Sequence, residues 1–317
     1  MNVLPIKPMD GTHLVVGAGE VGSQVASLLA DAGLDVVLVT RTGSGPGLSG
    51  IRRVAADARS TDALLAAAPD AVAIYNCANP QYTEWPKDWP PLATSFLRYA
   101  EKTGAVLATC SNLYVYGPVT IPMTEDLPLN TQGIKGRIRA QMWLDAKAAH
   151  YSGRIRATEV RGSDYIAPGP NSRLGQRVMP NILKGKSVQL LGGLDHTHTW
   201  TAPIDVARTL ISVAASEIAW GKPWHVPSNA PRTQREAIAD IANAAGVQPV
   251  KVSSIPTPLF KALGLVNPLL RELRETSFQF ERPFVLDDSA ARNSLGLTPT
   301  PWKEVLTDLV ANSRPRN

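Results

Sequence analysis

The 317-residue chain predicts an α/β fold, a Rossmann-type doubly wound parallel sheet with a smaller C-terminal substrate region. Three observations carry that prediction. Short apolar runs alternate with helix-length segments over roughly half the chain, the pattern of a parallel sheet covered on both faces. A glycine loop, Gly17-Ala18-Gly19-Glu20-Val21-Gly22, stands between the first apolar run and the first helix. After Arg161 the texture changes to the Gly- and Pro-rich RGSDYIAPGPNSRLGQ, and the regular alternation stops.

The elements follow in order. His13–Gly17 (HLVVG) reads as a buried strand, 21–32 as a helix, and Asp35–Thr40 (DVVLVT) as the second strand. A short third strand is predicted at 54–56, a helix at 61–68, and a fourth strand at 71–77 (AVAIYNC). A helix at 92–102, begun after the Pro90-Pro91 pair, leads to a fifth strand at 105–111 (AVLATCS). NTQGIKGRIRAQMW, from Asn130 to Trp143, reads as the opening of a basic amphipathic helix whose regular part runs over 135–150; one helical turn would bring Thr131 and Lys135 together. The strand 155–161 closes the regular half. Beyond it, helices are predicted near 204–214 and 233–245, whereas the Pro-rich path 250–270 has no readable periodicity. Residues 8–165 are therefore expected to form the nucleotide domain, with 202–222 and about 277–288 returning to it; 166–201, 223–276 and 289–317 are expected to form the smaller region.

Composition narrows the function classes. Hydrophobic residues at 44% and charged residues at 19% are ordinary for a globular protein with a substantial core. A net charge of +5 mildly favours an anionic ligand, but no stripe of interleaved aromatic and basic residues marks a nucleic-acid surface. Two cysteines supply neither a disulfide framework nor metal-ligand spacing, which fits a reducing, cytoplasmic setting. No signal-peptide pattern opens the chain, and no apolar window approaches the roughly 20 residues of a membrane span.

In a strand–loop–helix setting each glycine of the loop has a task. Gly17 permits the tight turn, Gly19 lets a pyrophosphate approach the backbone, and Gly22 lets helix and strand pack closely. The helix N-terminus at Glu20 and Val21 offers free N–H groups and partial positive charge to the phosphates. An acidic residue about 20 positions further on would bind the ribose hydroxyls of NAD. Here Thr40-Arg41-Thr42 ends the second strand, and an arginine pairs with a 2′-phosphate instead, which favours NADP and leaves NAD as the alternative. Asp57, after the third strand, is placed to face the adenine; Cys77-Ala78-Asn79 ends the fourth strand beside the cofactor crevice. Cys77 and Cys110 read as small core residues with no catalytic role.

With these pieces in order, the chain resembles the extended short-chain dehydrogenase/reductases, the family of nucleotide-sugar epimerases and dehydratases, in one of its atypical branches. SNLYVYG at 111–117 is similar to the family's SS-x-x-VYG strand end, RGSDYIAPG at 161–169 to its R-x-x-N-x-YGPG loop, residues 201–207 to its V-x-D-V-A helix start, and SAARNSLGLTP at 289–299 to its LG-x-x-P segment. The resemblance implies a catalytic tyrosine four residues before a lysine, and a serine or threonine at the end of the fifth strand. The lysine position matches Lys135, but the tyrosine position is Thr131 and the serine position is Asn112.

That change bears directly on mechanism. A phenol near a lysine ammonium can exchange a proton with a carbinol or carbonyl near neutral pH, whereas the aliphatic hydroxyl of Thr131 is far too weak an acid and serves only to orient a substrate. Asn112 can still donate to a developing oxyanion. By the resemblance, Lys135 keeps its hydrogen bonds to the nicotinamide ribose. Candidates for the missing proton donor are Tyr165, in the loop that frames the substrate beside Asp164; His198, of Asp195-His196-Thr197-His198; and Tyr82, after the fourth strand. Two histidines without a third ligand do not make a metal site. Trp85, Trp89, Trp143, Trp200 and Trp224 are expected mostly in the core.

These features together predict an NADP-dependent oxidoreductase or epimerase/dehydratase-like enzyme acting on a small hydroxyl- or carbonyl-bearing metabolite, for which a nucleotide sugar is one candidate. The competing reading, favoured by the lost tyrosine, is a non-catalytic NADP-binding sensor. A homodimer through the helices at 92–102 and 135–150 is the oligomer that the resemblance implies, with a monomer as the alternative.

Overall fold

Seven parallel strands make the central sheet of this protein, seen in a computed structural model that describes residues 4–170, 172–255 and 268–314. Strands β1 (Thr12–Val16), β2 (Asp35–Thr40), β3 (Ile51–Ala55), β4 (Ala73–Asn76), β5 (Val106–Asn112) and β6 (Arg156–Gly162) lie in the order β6-β5-β4-β1-β2-β3. The chain leaves β1 in one direction to build β2 and β3, then returns to its other side to build β4. That reversal opens a crevice at the C-terminal ends of β1 and β4. Register is in phase across the switch, with Val16 opposite both Val39 and Asn76.

Each face of the sheet carries its own helices, as nearly continuous apolar strands require. Helix α1 (Glu20–Asp31) and the helix Pro203–Ala214 cover one face, burying Val25, Leu29, Leu210 and Ile211. Helices α2 (Thr61–Ala67), α3 (Trp85–Thr103) and α4 (Ile134–Tyr151) cover the other, around Leu64, Trp89, Phe96 and Ala149. A separate apolar cluster around Ile182, Leu190, Ile238 and Leu309 forms the smaller region.

Several sequence expectations shift. Helix α3 starts at Trp85, seven residues before the predicted 92, and carries Pro90 and Pro91 inside it. Burial of Trp85 and Trp89 on one helical face, with the Arg139 guanidinium 4.1 Å from the Trp89 ring centroid, outweighs the hydrogen bonds that proline removes. All five tryptophans singled out are buried. Residues 223–225, expected in the smaller region, form the strand Pro223–His225, which pairs with β6 and completes the main sheet. The C-terminal stretch divides. Ala291, Leu295 and Leu297 join the core beside α1, whereas the helix Trp302–Ser313 packs in the smaller region. Of the unreadable path 250–270, residues 256–267 lie outside the described residues.

Candidate functional site

The glycine loop forms a backbone cradle at the β1–β4 crevice. Gly17 has φ +100°, and a Cβ there would lie 2.6 Å from the Cys77 carbonyl oxygen. At Gly22 a Cβ would come 1.9 Å from the Gly17 oxygen and 3.0 Å from Cys77 Cβ, so the helix sits against its own turn. Gly19 differs, because no atom lies within 4 Å of the place a Cβ would take. Its open backbone begins α1, whose first turn has no side-chain cap. This combination of open approach and unspent N–H groups fits a pyrophosphate. Cys77 and Ala78 press on the turn from β4, and burial pushes the Cys77 thiol well up, as suits a packing group. The Val21 side chain points into the core, leaving only its backbone to the crevice. Asn79 is exposed at the rim.

Glu20 has its two carboxylate oxygens buried without a hydrogen-bond partner among the described residues. Gly169 lies against it, where a Cβ would come 1.7 Å from Glu20 Oε1. Burial raises the Glu20 carboxyl above the usual carboxylate range. The folded state therefore binds this proton more tightly than the unfolded state does. Its contribution is full below the unfolded value and is lost as pH rises through the folded one. Glu20→Gln is expected to stabilise the protein at neutral pH by about 1 kcal/mol and to flatten that part of the stability–pH curve. Urea unfolding from acid to neutral pH checks both effects; equal curves for the two proteins would refute the cost assigned to this carboxylate.

At the ends of β2 and β3, Arg41 and Thr42 are exposed, and the loop after them does not carry them away from the site. Gly45 packs on Leu38, with its Cβ position 3.4 Å from Ala18 of the glycine loop. Asp57 is engaged by Arg59, which donates from its backbone N at 3.0 Å, from Nε at 3.0 Å and from a terminal nitrogen at 2.8 Å. These bonds, with a smaller contribution from Arg41, hold the Asp57 carboxyl below its usual range. Arg59 also pairs with Asp88 at 3.5 Å, so its guanidinium lies between two carboxylates, and Asp57 does not face the crevice as a free acceptor.

The Thr131–Lys135 pair is not a helical pair. Helix α4 begins at Ile134 after Gly133, and Thr131 lies in the preceding loop against Gly136, whose missing Cβ leaves room for Thr131 Oγ1 and the Tyr114 carbonyl. Lys135 is buried and held by two carboxylates from the helix Pro268–Glu275. Its Nζ donates to Glu272 Oε2 at 2.5 Å and to Glu275 Oε2 at 3.1 Å. Glu275 Oε1 also accepts from the Lys135 backbone N at 2.6 Å, capping α4 from a distant part of the chain. Asn112 caps the short turn Leu113–Tyr116, its Oδ1 accepting from Tyr114 N at 3.1 Å, which leaves its NH2 group to donate.

Beside Lys135 stand two tyrosines. The hydroxyls of Tyr82 and Tyr114 meet at 2.7 Å, with Lys135 Nζ 5.4 Å from the Tyr82 ring centroid. Burial pushes both phenols up, Tyr114 well up, so both stay protonated as hydrogen-bond donors. Tyr165 turns its hydroxyl to Cys110 Sγ at 3.4 Å, and burial raises it well above the ordinary phenol value. Asp164 and His198 come together instead, Oδ2 to Nε2 at 3.0 Å.

The structure thus places Lys135 beside Tyr82 and Tyr82 on Tyr114, sets Asn112 on the turn that carries Tyr114, pairs Asp164 with His198, and leaves Thr131 against Gly136 and Tyr165 against Cys110. It also adds Tyr114, Glu272 and Glu275. Tyr114 lies inside the SNLYVYG strand end, where a hydroxyl-bearing residue beside Asn112 was a usable signal. Glu272 and Glu275 stand 137 and 140 residues from Lys135, where no spacing rule reaches. Among the described residues no group of three His, Cys, Asp or Glu side chains can hold a metal ion, and no helix is long and apolar enough to cross a membrane.

Comparison with known proteins agrees with this architecture. The model of the NAD dependent epimerase/dehydratase family matches residues 13–223, about two thirds of the chain. No curated protein matches the sequence significantly. Among solved structures, an epimerase from the thermophilic methanogen Methanothermobacter thermautotrophicus superposes with a TM-score of 0.79 at 20% identity, covering 95% of this chain and 92% of that one. A dTDP-glucose 4,6-dehydratase from Bacillus anthracis in complex with NAD gives 0.75 at 17% identity, over 95% and 96% of the two chains. UDP-glucose 4-epimerase from Thermotoga maritima with UDP-glucose gives 0.74 at 17%, over 95% and 97%. At these identities the likeness is one of fold.

Proposed function

Because this chain belongs to the NAD dependent epimerase/dehydratase family, we propose that it is a nicotinamide-dependent oxidoreductase or epimerase/dehydratase acting on a small hydroxyl- or carbonyl-bearing metabolite, with a nucleotide sugar as the leading class. The observation that carries this reading is the glycine cradle, open at Gly19 and uncapped at α1, at the switch point of the sheet. The bound nicotinamide would supply hydride exchange. In this reading Gly17, Gly19 and the α1 N-terminus bind the pyrophosphate, and the third hydrogen on Lys135 Nζ, left over from its two carboxylates, reaches the ribose. The Asn112 NH2 group and the Tyr82–Tyr114 hydroxyl pair donate to the substrate oxygen.

The exposed Arg41, at the end of β2, supports NADP over NAD, since its guanidinium can pair with a 2′-phosphate. Calorimetric titration with NADPH and NADH, on the protein and on Arg41→Ala, tests cofactor and preference together. NADPH is expected to bind more tightly, with a loss of about tenfold in the variant. Binding of neither nucleotide would sink the redox reading. Equal affinities unchanged by Arg41→Ala would leave NAD as the cofactor.

Thr131 and the doubly engaged Lys135 favour one competing reading, a nucleotide-binding protein without turnover. A single-turnover experiment with bound reduced nucleotide and a panel of nucleotide-linked keto sugars separates the two. Oxidation of the bound nucleotide by any member supports the enzyme.

A further inference from the structure

One helical turn after Lys135, α4 buries a second cation. Arg139 is 5% exposed, and its guanidinium carbon lies 4.1 Å from the Trp89 ring centroid and 4.9 Å from that of Trp85. A terminal nitrogen donates to the Cys110 carbonyl at 3.2 Å, and Nε is buried with no hydrogen-bond partner among the described residues. Among those residues Arg139 forms no ion pair. Glu159, the carboxylate that acts on it, is bonded to Arg161 at 2.7 Å. The tryptophan faces offset part of the cost of burying this charge without neutralising it. Burial lowers the Arg139 guanidinium from its ordinary value, yet an arginine keeps its proton in a protein, where a buried lysine without a carboxylate would give it up. The charge is therefore fixed and uncompensated, the reverse of Lys135, whose Nζ is shared between Glu272 and Glu275. Stability alone does not account for such a group, because a fitting uncharged side chain is easier to bury.

Arg139 adjoins the tyrosine pair. Trp85, against its guanidinium, stands edge-on to the Tyr82 ring at 5.0 Å and lies 6.4 Å from the Tyr114 ring. The two phenols join their hydroxyls at 2.7 Å. Tyr82 is half-buried and Tyr114 buried, so Tyr82 is the member open to a ligand. Burial is the main influence on the Tyr82 phenol and raises it, with Asp164 and Glu275 acting in the same direction. Two groups work against that rise, the Tyr114 hydroxyl and the Arg139 charge. Arg139 acts in the same lowering sense on Tyr165 and Cys110.

We propose that Arg139 is the working positive charge beside the tyrosine pair, and that it stabilises the phenolate left when Tyr82 gives its proton to the substrate oxygen. This inference rests on the enzymatic reading above. In the reducing direction the carbonyl carbon gains a hydride from bound reduced nicotinamide, which is oxidised. The π pair of the carbonyl moves to its oxygen, and that oxygen takes the proton of Tyr82 Oη. The Tyr114 hydroxyl and the Arg139 charge hold the phenolate until water returns the proton. Oxidation of a carbinol runs the same transfers backward. Tyr82 touches the substrate; Arg139 is a positioning residue that acts on Tyr82 through its charge.

The first readout needs no substrate. Trifluorotyrosine placed at position 82, whose phenol ionises at lower pH than that of tyrosine, reports its own ionisation by fluorine NMR. Arg139→Gln and Arg139→Met are expected to raise that ionisation alike, by about one pH unit or more, because loss of the charge is what they share. Arg139→Gln keeps a donor for the Cys110 carbonyl, so a shift confined to Arg139→Met would assign the effect to packing and overturn the proposal. No shift in either variant would do the same. Urea unfolding should show both variants folded without marked loss of stability, since an uncompensated charge is removed. Failure of both to fold would make Arg139 a structural cation and overturn its assigned role. With a substrate found by the nucleotide screen, Tyr82→Phe should lower kcat by about a hundredfold or more and Arg139→Gln by about tenfold or more, with KM and nucleotide affinity nearly unchanged. Full turnover in Tyr82→Phe would overturn its place as donor, and full turnover in Arg139→Gln would remove the charge from the step. Failure of nucleotide to bind would refute the enzymatic reading but leave the ionisation at position 82 readable.

Discussion

Lys135→Met is expected to destabilise the fold by about 3 kcal/mol, because it leaves Glu272 and Glu275 facing each other over a buried apolar side chain. A surface lysine would cost almost nothing. The difference comes from burial. The Lys135 ammonium has two carboxylates as partners, and losing it removes the cation that they share, although both glutamates keep about a fifth to a quarter of their side chains exposed. Urea unfolding of Lys135→Met and of the triple variant with Glu272→Gln and Glu275→Gln checks this. The triple variant should recover most of the loss, since neutral amides no longer repel. If Lys135→Met alone were as stable as the parent, the carboxylate clamp would have no energetic weight. The same pair of proteins bears on function: if Lys135 binds the ribose, both should bind nucleotide weakly despite their different stabilities.

Gly22→Ala and Gly19→Ala are expected to differ sharply. At Gly22 the new methyl would overlap the Gly17 oxygen at 1.9 Å, so the turn or the helix must move, at a cost of about 3 kcal/mol and with loss of nucleotide binding. At Gly19 the methyl meets nothing within 4 Å, and φ is −73°, so folding stability should stay within about 0.5 kcal/mol. Nucleotide binding should nonetheless fall at Gly19, because the methyl occupies the approach of the pyrophosphate. Thermal unfolding and nucleotide titration of both variants separate packing from recognition. Unimpaired nucleotide binding by Gly19→Ala would mean that the cradle does not hold phosphate.

The electrostatics of the crevice depart from the pattern that the resemblance implies. A lysine that lowers a phenol near neutral pH needs its charge free. Here Glu272 and Glu275 neutralise Lys135, and burial keeps Tyr82 and Tyr114 protonated. The two changes are mutually consistent. With Thr131 in place of the phenol, no group paired with Lys135 among the described residues requires a free ammonium.

Much of the architecture was readable along the chain because its determinants are local. The period of apolar runs marks β1, β2, β4, β5 and β6 within about two residues. The glycine loop is legible because tight turn, phosphate approach and close packing are demands on neighbouring residues. Lys135, Asn112 and Asp164 were singled out through short motifs for the same reason. Helix α3 was started too late because proline is a local rule, and the buried faces of Trp85 and Trp89 that override it are made with α4 and Arg139, about 50 residues away. The strand Pro223–His225 was assigned to the wrong region because three residues carry no period of their own, and their pairing with β6 is a long-range event.

By itself the sequence determined the doubly wound sheet, the glycine loop and the absence of a tyrosine four residues before Lys135, since each is written in the identity and spacing of residues close in the chain. Only the tertiary structure decided that Thr131 lies off the helix, that Lys135 is clamped by Glu272 and Glu275, and that His198 stacks between Phe280 and Phe284 with its nitrogen on Asp164. Those contacts join segments from 34 to 140 residues apart. Their energy depends on burial and on which partner reaches which atom, and neither quantity exists until the chain has folded.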